Sequence, residues 1–149
     1  MGIEEEINQK RPFDSYVEKL IVNVMFTNGW INEHLKKQYK PYGITPKQYN
    51  ILRILGGADE PLTTSDIRGR MIDRMSDITR LIDRLILKEL VTKKVKPEDK
   101  RLVDISISEK GSELLKTMRA AVTHEYASGL TENEAVQLNN LLDSLRRNS

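Results

Sequence analysis

Two groups of side chains in this sequence have the chemistry to grip a polyanion. The first lies in Ser76-Asp77-Ile78-Thr79-Arg80-Leu81-Ile82-Asp83-Arg84-Leu85, where Ile78, Leu81, Ile82 and Leu85 recur at helical spacing. A helix over 76–88 with that stripe turned inward points Ser76, Arg80 and Asp83 outward, with Asp77, Thr79 and Arg84 flanking them. Arginine can meet guanine O6 and N7 with two hydrogen bonds, a contact that discriminates by ~1–3 kcal/mol, and a helix fits the major groove where those atoms are displayed. The second group is Lys93, Lys94, Lys96, Lys100 and Arg101, with Asp99 among them. Its alternating apolar and polar residues read as two strands joined by a charged tip, Pro97-Glu98-Asp99-Lys100-Arg101. Lysines there can neutralise phosphates, and an arginine at a hairpin tip suits a narrow minor groove.

The charge distribution agrees with this placement. The 149 residues carry a net +2, but residues 63–103 hold 11 basic and 7 acidic side chains, a local +4, against 0 over 1–62 and −2 over 104–149. Other chemistries find little support. There is no cysteine, which removes disulfides, thiolate metal sites and thiol redox switches and suits a reducing compartment. No nucleophile–histidine–acid order, phosphate loop or paired-carboxylate motif stands out, so neither catalysis nor a cofactor is expected. The two histidines, His34 and His124, are far apart in sequence, and no metal is expected on them. The acidic start Met1-Gly2-Ile3-Glu4-Glu5-Glu6 lacks the pattern of a secretory leader. No apolar run approaches the ~20 residues of a membrane span, so a cytoplasmic protein with no membrane contact is expected.

The elements that must position these residues are punctuated clearly. Phe13, Val17, Leu20, Val24, Ile31 and Leu35 form a helical stripe over 13–39, with a bend expected at Asn28-Gly29. Pro41-Tyr42-Gly43 ends it, and Thr45-Pro46-Lys47-Gln48 opens another helix with a capping box that Gly56-Gly57 stops. Thr63 or Thr64 caps a short helix reaching Met71, and a turn over 72–75 leads into the 76–88 helix. After the hairpin, Ser108 caps a helix reaching the neighbourhood of Tyr126. Thr131-Glu132-Asn133-Glu134 then opens a last helix with Ala135, Leu138, Leu141, Leu142 and Leu145 on its inner face. Short helix, turn, longer helix and hairpin is the order of a winged helix-turn-helix. The expected fold is mainly α with a small β-hairpin wing, an α+β arrangement.

Taken together, Thr79-Arg80-Leu81-Ile82-Asp83-Arg84-Leu85, Leu90-Val91, Pro97-Glu98-Asp99-Lys100-Arg101 and Ser108-Glu109-Lys110-Gly111 closely resemble the MarR family of multiple antibiotic resistance regulators. That family's second helix reads TRLxDRLExKGLV, its wing PxDRR, and the start of its next helix TxxG. The likeness covers nearly the whole chain. It implies a single domain over 1–149, with a DNA-binding lobe at 44–107 and a helical dimerisation lobe formed by 10–40 and 108–149. It also implies a homodimer on a pseudo-palindromic operator in double-stranded DNA, acting as a repressor and modulated by a small aromatic or phenolic effector. Carried over position by position, Ser76, Asp77, Thr79, Arg80 and Arg84 are the major-groove candidates. Lys94, Lys96, Asp99, Lys100 and Arg101 are the wing candidates, with Asp99 orienting Arg101. Met25, Trp30, His34 and Tyr49 are candidates for an effector pocket, against the alternative that they pack in the core or at a dimer contact.

The sequence departs from the family pattern at three places. Glu89 stands where a glycine usually ends the second helix, so no left-handed cap is expected there. Ile72-Asp73-Arg74-Met75 replaces a glycine-containing turn, and Lys100 replaces the first wing arginine, keeping charge but losing the planar fork. Two further alternatives stay open. Arg80 and Arg84 could pair with Asp77 or Asp83 on a solvated helix face, and the winged helix could be a protein-interaction module that no longer binds DNA.

Overall fold

The computed structural model describes residues 1–147; the last two residues of the expected 108–149 segment lie outside the described residues. A short helix α1 (Ile3–Glu6), unmarked by any periodicity, precedes the long α2 (Tyr16–Tyr39). Ser15 caps α2 by accepting the Glu18 N–H at 3.1 Å, so the helix begins later than its apolar pattern does. It runs through Asn28-Gly29 without the expected interruption, and Asn32 Nδ2 donates to the Asn28 carbonyl at 2.9 Å across that turn. A glycine inside a helix costs only ~1 kcal/mol, too little to stop one this long.

A 3-10 turn (Lys40–Tyr42) and Gly43 in the left-handed conformation, φ 68°, reverse the chain into α3 (Pro46–Gly56). The Thr45–Gln48 capping box forms as expected, at 3.1 and 3.2 Å. Thr63 and Asp66 cap α4 (Thr64–Arg70) in the same way, and α5 (Ile78–Leu87) follows. Strands β1 (Val91–Val95) and β2 (Val103–Ile107) pair antiparallel, Val91 opposite Ile107 and Val95 opposite Val103. Leu62 joins the sheet through two hydrogen bonds with Ile105, at 2.9 and 2.8 Å, tying the loop before α4 to the hairpin. Helix α6 (Glu109–Ala121), capped by Ser108, and α7 (Glu132–Leu145), opened by the Thr131–Glu134 capping box, complete the chain.

One core holds α3, α4, α5, the hairpin and α6 together. Ile51, Leu52, Ile67, Ile78, Leu85, Ile105 and Met118 are fully enclosed in it, each burial stabilising by ~1.5–3 kcal/mol. Most of the stripe on α2 does not join this core: Val17, Leu20, Val24 and Ile31 are exposed in the single chain, while Leu35 packs against it. Helix α7 has no buried residue: of the side expected to face inward, Leu138, Leu141 and Leu145 are exposed, and Ala135 and Leu142 are half-buried.

The junction between α5 and β1 corrects an expectation. Glu89 adopts the left-handed conformation, φ 61°, despite having a side chain. Its N–H donates to the Ile86 carbonyl at 2.9 Å, and the Leu90 N–H to the Leu85 carbonyl at 3.0 Å. That pair of bonds is a Schellman motif, and the buried Leu85 and Leu90 supply its apolar contact. The closure evidently outweighs the ~1–2 kcal/mol that a left-handed L-residue costs.

Candidate nucleic-acid interface

The turn between α4 and α5 is fixed from both sides. The Ile72 N–H donates to Oδ1 of the buried Asn50 on α3, at 2.9 Å. Asp73 accepts the Met75 N–H at 3.0 Å and pairs with Lys47 at 3.2 Å. The Met75 N–H first, and Lys47 after it, hold the Asp73 carboxyl below its ordinary range. Asp77 is the helix cap of α5: its carboxylate accepts the backbone N–H of Arg80 at 3.2 Å. Its structural task is thus set, whatever else it meets.

Ser76 requires a correction. It is only 5% exposed and sits ahead of α5, because the helix begins at Ile78 and not at 76. Helical geometry counted from 76 therefore turned it outward wrongly, and its hydroxyl is not on the surface. Thr79, Arg80, Asp83 and Arg84 are all exposed on α5. Among the described residues no carboxylate lies within ion-pair distance of the Arg80 or Arg84 guanidinium. Asp77 serves the Arg80 backbone and not its side chain, so the pairing alternative does not hold in this structure. Both arginines border a cleft of about 480 Å³ between α2, the start of α3 and α5, with Asn32, Lys47 and Leu81.

At the hairpin tip, Asp99 grips Arg101. Its carboxylate accepts the Arg101 backbone N–H at 3.0 Å, Nε at 3.2 Å and Nη2 at 3.4 Å. The backbone bond and then the side-chain bonds hold the Asp99 carboxyl below the usual range. Arg101 nevertheless keeps 91% of its side chain exposed, so the guanidinium is oriented and presented together. Lys94 and Lys100 are exposed. Lys96 is drawn to Asp104 at 3.4 Å and is only partly open.

The four effector candidates do not come together. Trp30 and His34 pack with Tyr126, whose ring stacks on His34 at 4.5 Å and meets Trp30 edge-on at 5.5 Å. Tyr49 packs instead on Tyr39 at 4.7 Å, and Met25 on α2 is 68% exposed. Tyr49 does border a second cleft, of about 440 Å³, with Asn28, Leu35, Tyr39, Asn50, Arg53 and Ile72. Asn50 is 5% exposed and its Nδ2 has no hydrogen-bond partner among the described residues. Sequence reasoning missed Asn50 because a lone polar residue at a core position looks like an ordinary surface asparagine of an amphipathic helix. It missed Tyr126 and the sharing of that ring with His124, whose Nδ1 lies 3.5 Å from the hydroxyl, because the pairing spans two elements. Arg74, exposed in the turn before α5, was also passed over, although the local charge excess included it.

Comparison with known proteins places the geometry in context. A family model described as MarR family matches residues 44–103. The HTH-type transcriptional regulator MhqR of Bacillus subtilis (strain 168) is 31% identical over 123 residues, covering 80% of this chain and 83% of the relative. The HTH-type transcriptional repressor MdtR of the same organism is 33% identical over 108 residues, covering 70% of this chain and 66% of the relative. Among solved structures, a mutant MarR from E. coli complexed with operator DNA superposes with a TM-score of 0.80 at 21% identity, covering 91% of this chain and 99% of that one. CouR from Rhodococcus jostii, bound to p-coumaroyl-CoA, gives 0.74 at 21% identity, covering 92% and 98%. At these identities the structural likenesses speak for the fold.

Proposed function

The chain belongs to the MarR family of transcriptional regulators, and from that premise we propose that it acts as a homodimeric repressor on a pseudo-palindromic operator. Residues 44–107 form the DNA-binding lobe, and 10–40 with 108–149 form the dimerisation lobe. Each protomer lays α5 in a major groove, with Thr79, Arg80 and Arg84 toward base edges and phosphates. Arg101 enters the flanking minor groove, and Lys94 and Lys100 meet phosphates. The observation that carries this reading is an oriented, exposed Arg101 together with Arg80 and Arg84, whose guanidinium groups have no ion-pair partner among the described residues. Half-sites fall about one helical turn apart.

Dimerisation is supported by what the single chain leaves uncovered. Val17, Leu20, Ile21, Val24 and Ile31 on α2 and Leu138, Leu141 and Leu145 on α7 are exposed. Exposed apolar side chains repeated along a helix in this way support an interface there. The effector is placed in the cleft beside Tyr49. There Tyr39 and Tyr49 offer aromatic walls, and Asn50 Nδ2 and Arg53 offer donors to a small phenolic or aromatic anion. Asn50 also holds the turn before α5, so a ligand that recruits its amide acts on the reading helix directly.

The test is a mobility-shift titration at fixed salt with operator DNA enriched from the source genome. Arg101→Ala should weaken binding at least about tenfold, ~1.4 kcal/mol, with the dimer intact by gel filtration. Unchanged affinity removes the wing from the interface.

A further inference from the structure

We propose that Met75 reads the 5-methyl group of a thymine in the major groove, making it a specificity-determining side chain of the DNA contact. The inference rests on the DNA-binding reading above and adds a base preference to it.

Met75 is 93% exposed, in the turn that leads into α5. Its backbone is not loose. The Met75 N–H is held by Asp73 Oδ1, the Ser76 N–H donates to the Asp73 carbonyl at 3.3 Å, and Asp73 is itself anchored on Lys47. The turn is thus fixed while the thioether side chain is offered to solvent, two residues ahead of the Asp77 cap. In a helix-turn-helix, the N-terminal end of the second helix is what approaches the base edges.

The exposed residues flanking it in sequence are Asp73, Arg74, Asp77, Thr79 and Arg80, all polar. They can serve phosphates and hydrogen-bonding base edges; Met75 can serve neither. Of the groups a base pair shows in the major groove, the thymine methyl is the apolar one. An unbranched, polarisable thioether adapts well to such a contact. Ile72 is also exposed, at 82%, but it borders the cleft beside Asn50, which leaves Met75 as the apolar group at the start of α5.

The experiment uses the full chain. Binding duplexes are enriched from a random pool, and each thymine of the selected site is then replaced singly by uracil, which removes the methyl alone. Burying one methyl-sized group contributes ~0.8 kcal/mol, so wild-type protein should lose roughly fourfold in affinity at one thymine position per half-site, and roughly 15-fold when both half-sites are changed. Met75→Leu should keep that sensitivity. Met75→Gln should bind the thymine duplex as weakly as wild type binds the uracil one, with no further loss on uracil and an unchanged melting temperature. Uracil duplexes that bind wild type with full affinity, or a Met75→Gln protein that keeps the uracil penalty, overturn the assignment while leaving DNA binding intact. A pool that yields no enriched sequence overturns the DNA-binding reading and this inference with it.

Discussion

Gly111 sits where α6 passes over the end of the α5–β1 junction, and replacing it with alanine tests how tightly that junction is built. A Cβ at 111 would lie 2.1 Å from the Leu90 carbonyl oxygen and 2.8 Å from Ile107 Cγ1. Non-bonded heavy atoms settle near ~3.5 Å, so the closer contact falls short by roughly 1.4 Å. The obstacle is backbone, and that carbonyl already accepts the Ser108 N–H at 3.0 Å, so it cannot simply swing aside. Overpacking of this kind costs ~1–3 kcal/mol, and a backbone obstacle belongs at the upper end. Against it stands up to ~1 kcal/mol of helix propensity gained on replacing glycine. The expected net loss is about 2 kcal/mol, a fall in Tm of roughly 6 °C for a chain of this size. Gly69 on α4 is the control: nothing lies within 4 Å of its added Cβ, so Gly69→Ala should raise Tm by roughly 2–3 °C from propensity alone. Both are read by thermal melting in far-ultraviolet circular dichroism at one protein concentration, since association shifts apparent stability. A Gly111→Ala protein that melts at or above the parent would falsify the close approach of α6 to Leu90.

Three further outcomes follow from the same geometry. Glu89→Gly should stabilise by ~0.5–1 kcal/mol, because relief of the left-handed strain exceeds the added chain entropy; a lower urea midpoint than the parent would count against the Schellman closure. Asp99→Ala removes a negative charge from the surface proposed to meet DNA, which by charge alone tightens binding, yet it should weaken operator binding several-fold by freeing Arg101; tighter binding in a mobility-shift titration would refute the orienting role. The carboxyls of Asp66, Asp73, Asp99 and Glu134 are held below their ordinary values of 3.8 and 4.5. Their stabilisation is therefore complete above about pH 4.5 and lost as pH falls through the lowered folded values, while burial pushes Tyr39 up to about 12, so its contribution holds below 10 and fades toward 12. Denaturation midpoints that stay flat from pH 5 down to pH 3 would contradict the acid limb.

Much of this was legible in the sequence because it is local. Capping boxes at Thr45, Thr63 and Thr131 each need a hydroxyl and an acid or amide three residues on, and all three form. The hairpin follows from alternation, and its tip from five consecutive residues. What stayed illegible depends on contacts between elements or on a shift of start. Ser76 went from exposed to buried because α5 begins two residues later than its motif. Glu89 takes a conformation its side chain disfavours because its N–H and that of Leu90 close on the Ile86 and Leu85 carbonyls, over the buried Leu85 and Leu90. Trp30, His34 and Tyr49 are alike in composition, yet they divide between Tyr126 and Tyr39, rings that lie on different elements.

Helix α2 serves both the exposed apolar surface and the clefts, because its two halves face different demands. Its first half presents the uncovered Val17, Leu20 and Val24, the surface on which the proposed dimer would close. Its second half supplies Asn32 to both clefts, the one beside Arg80 and Arg84 and the one beside Asn50. In a dimer packed through α2, the spacing of the two α5 helices is set by how that helix lies on α3 and α5. Operator half-sites are separated by a fixed ~34–36 Å per turn, so a small rotation there moves one reading helix out of register with its groove. A ligand between α2 and α3 therefore need not touch α5 to weaken DNA binding. The reach of any such effect is limited to the difference between the ligand's affinities for the DNA-bound and the free protein.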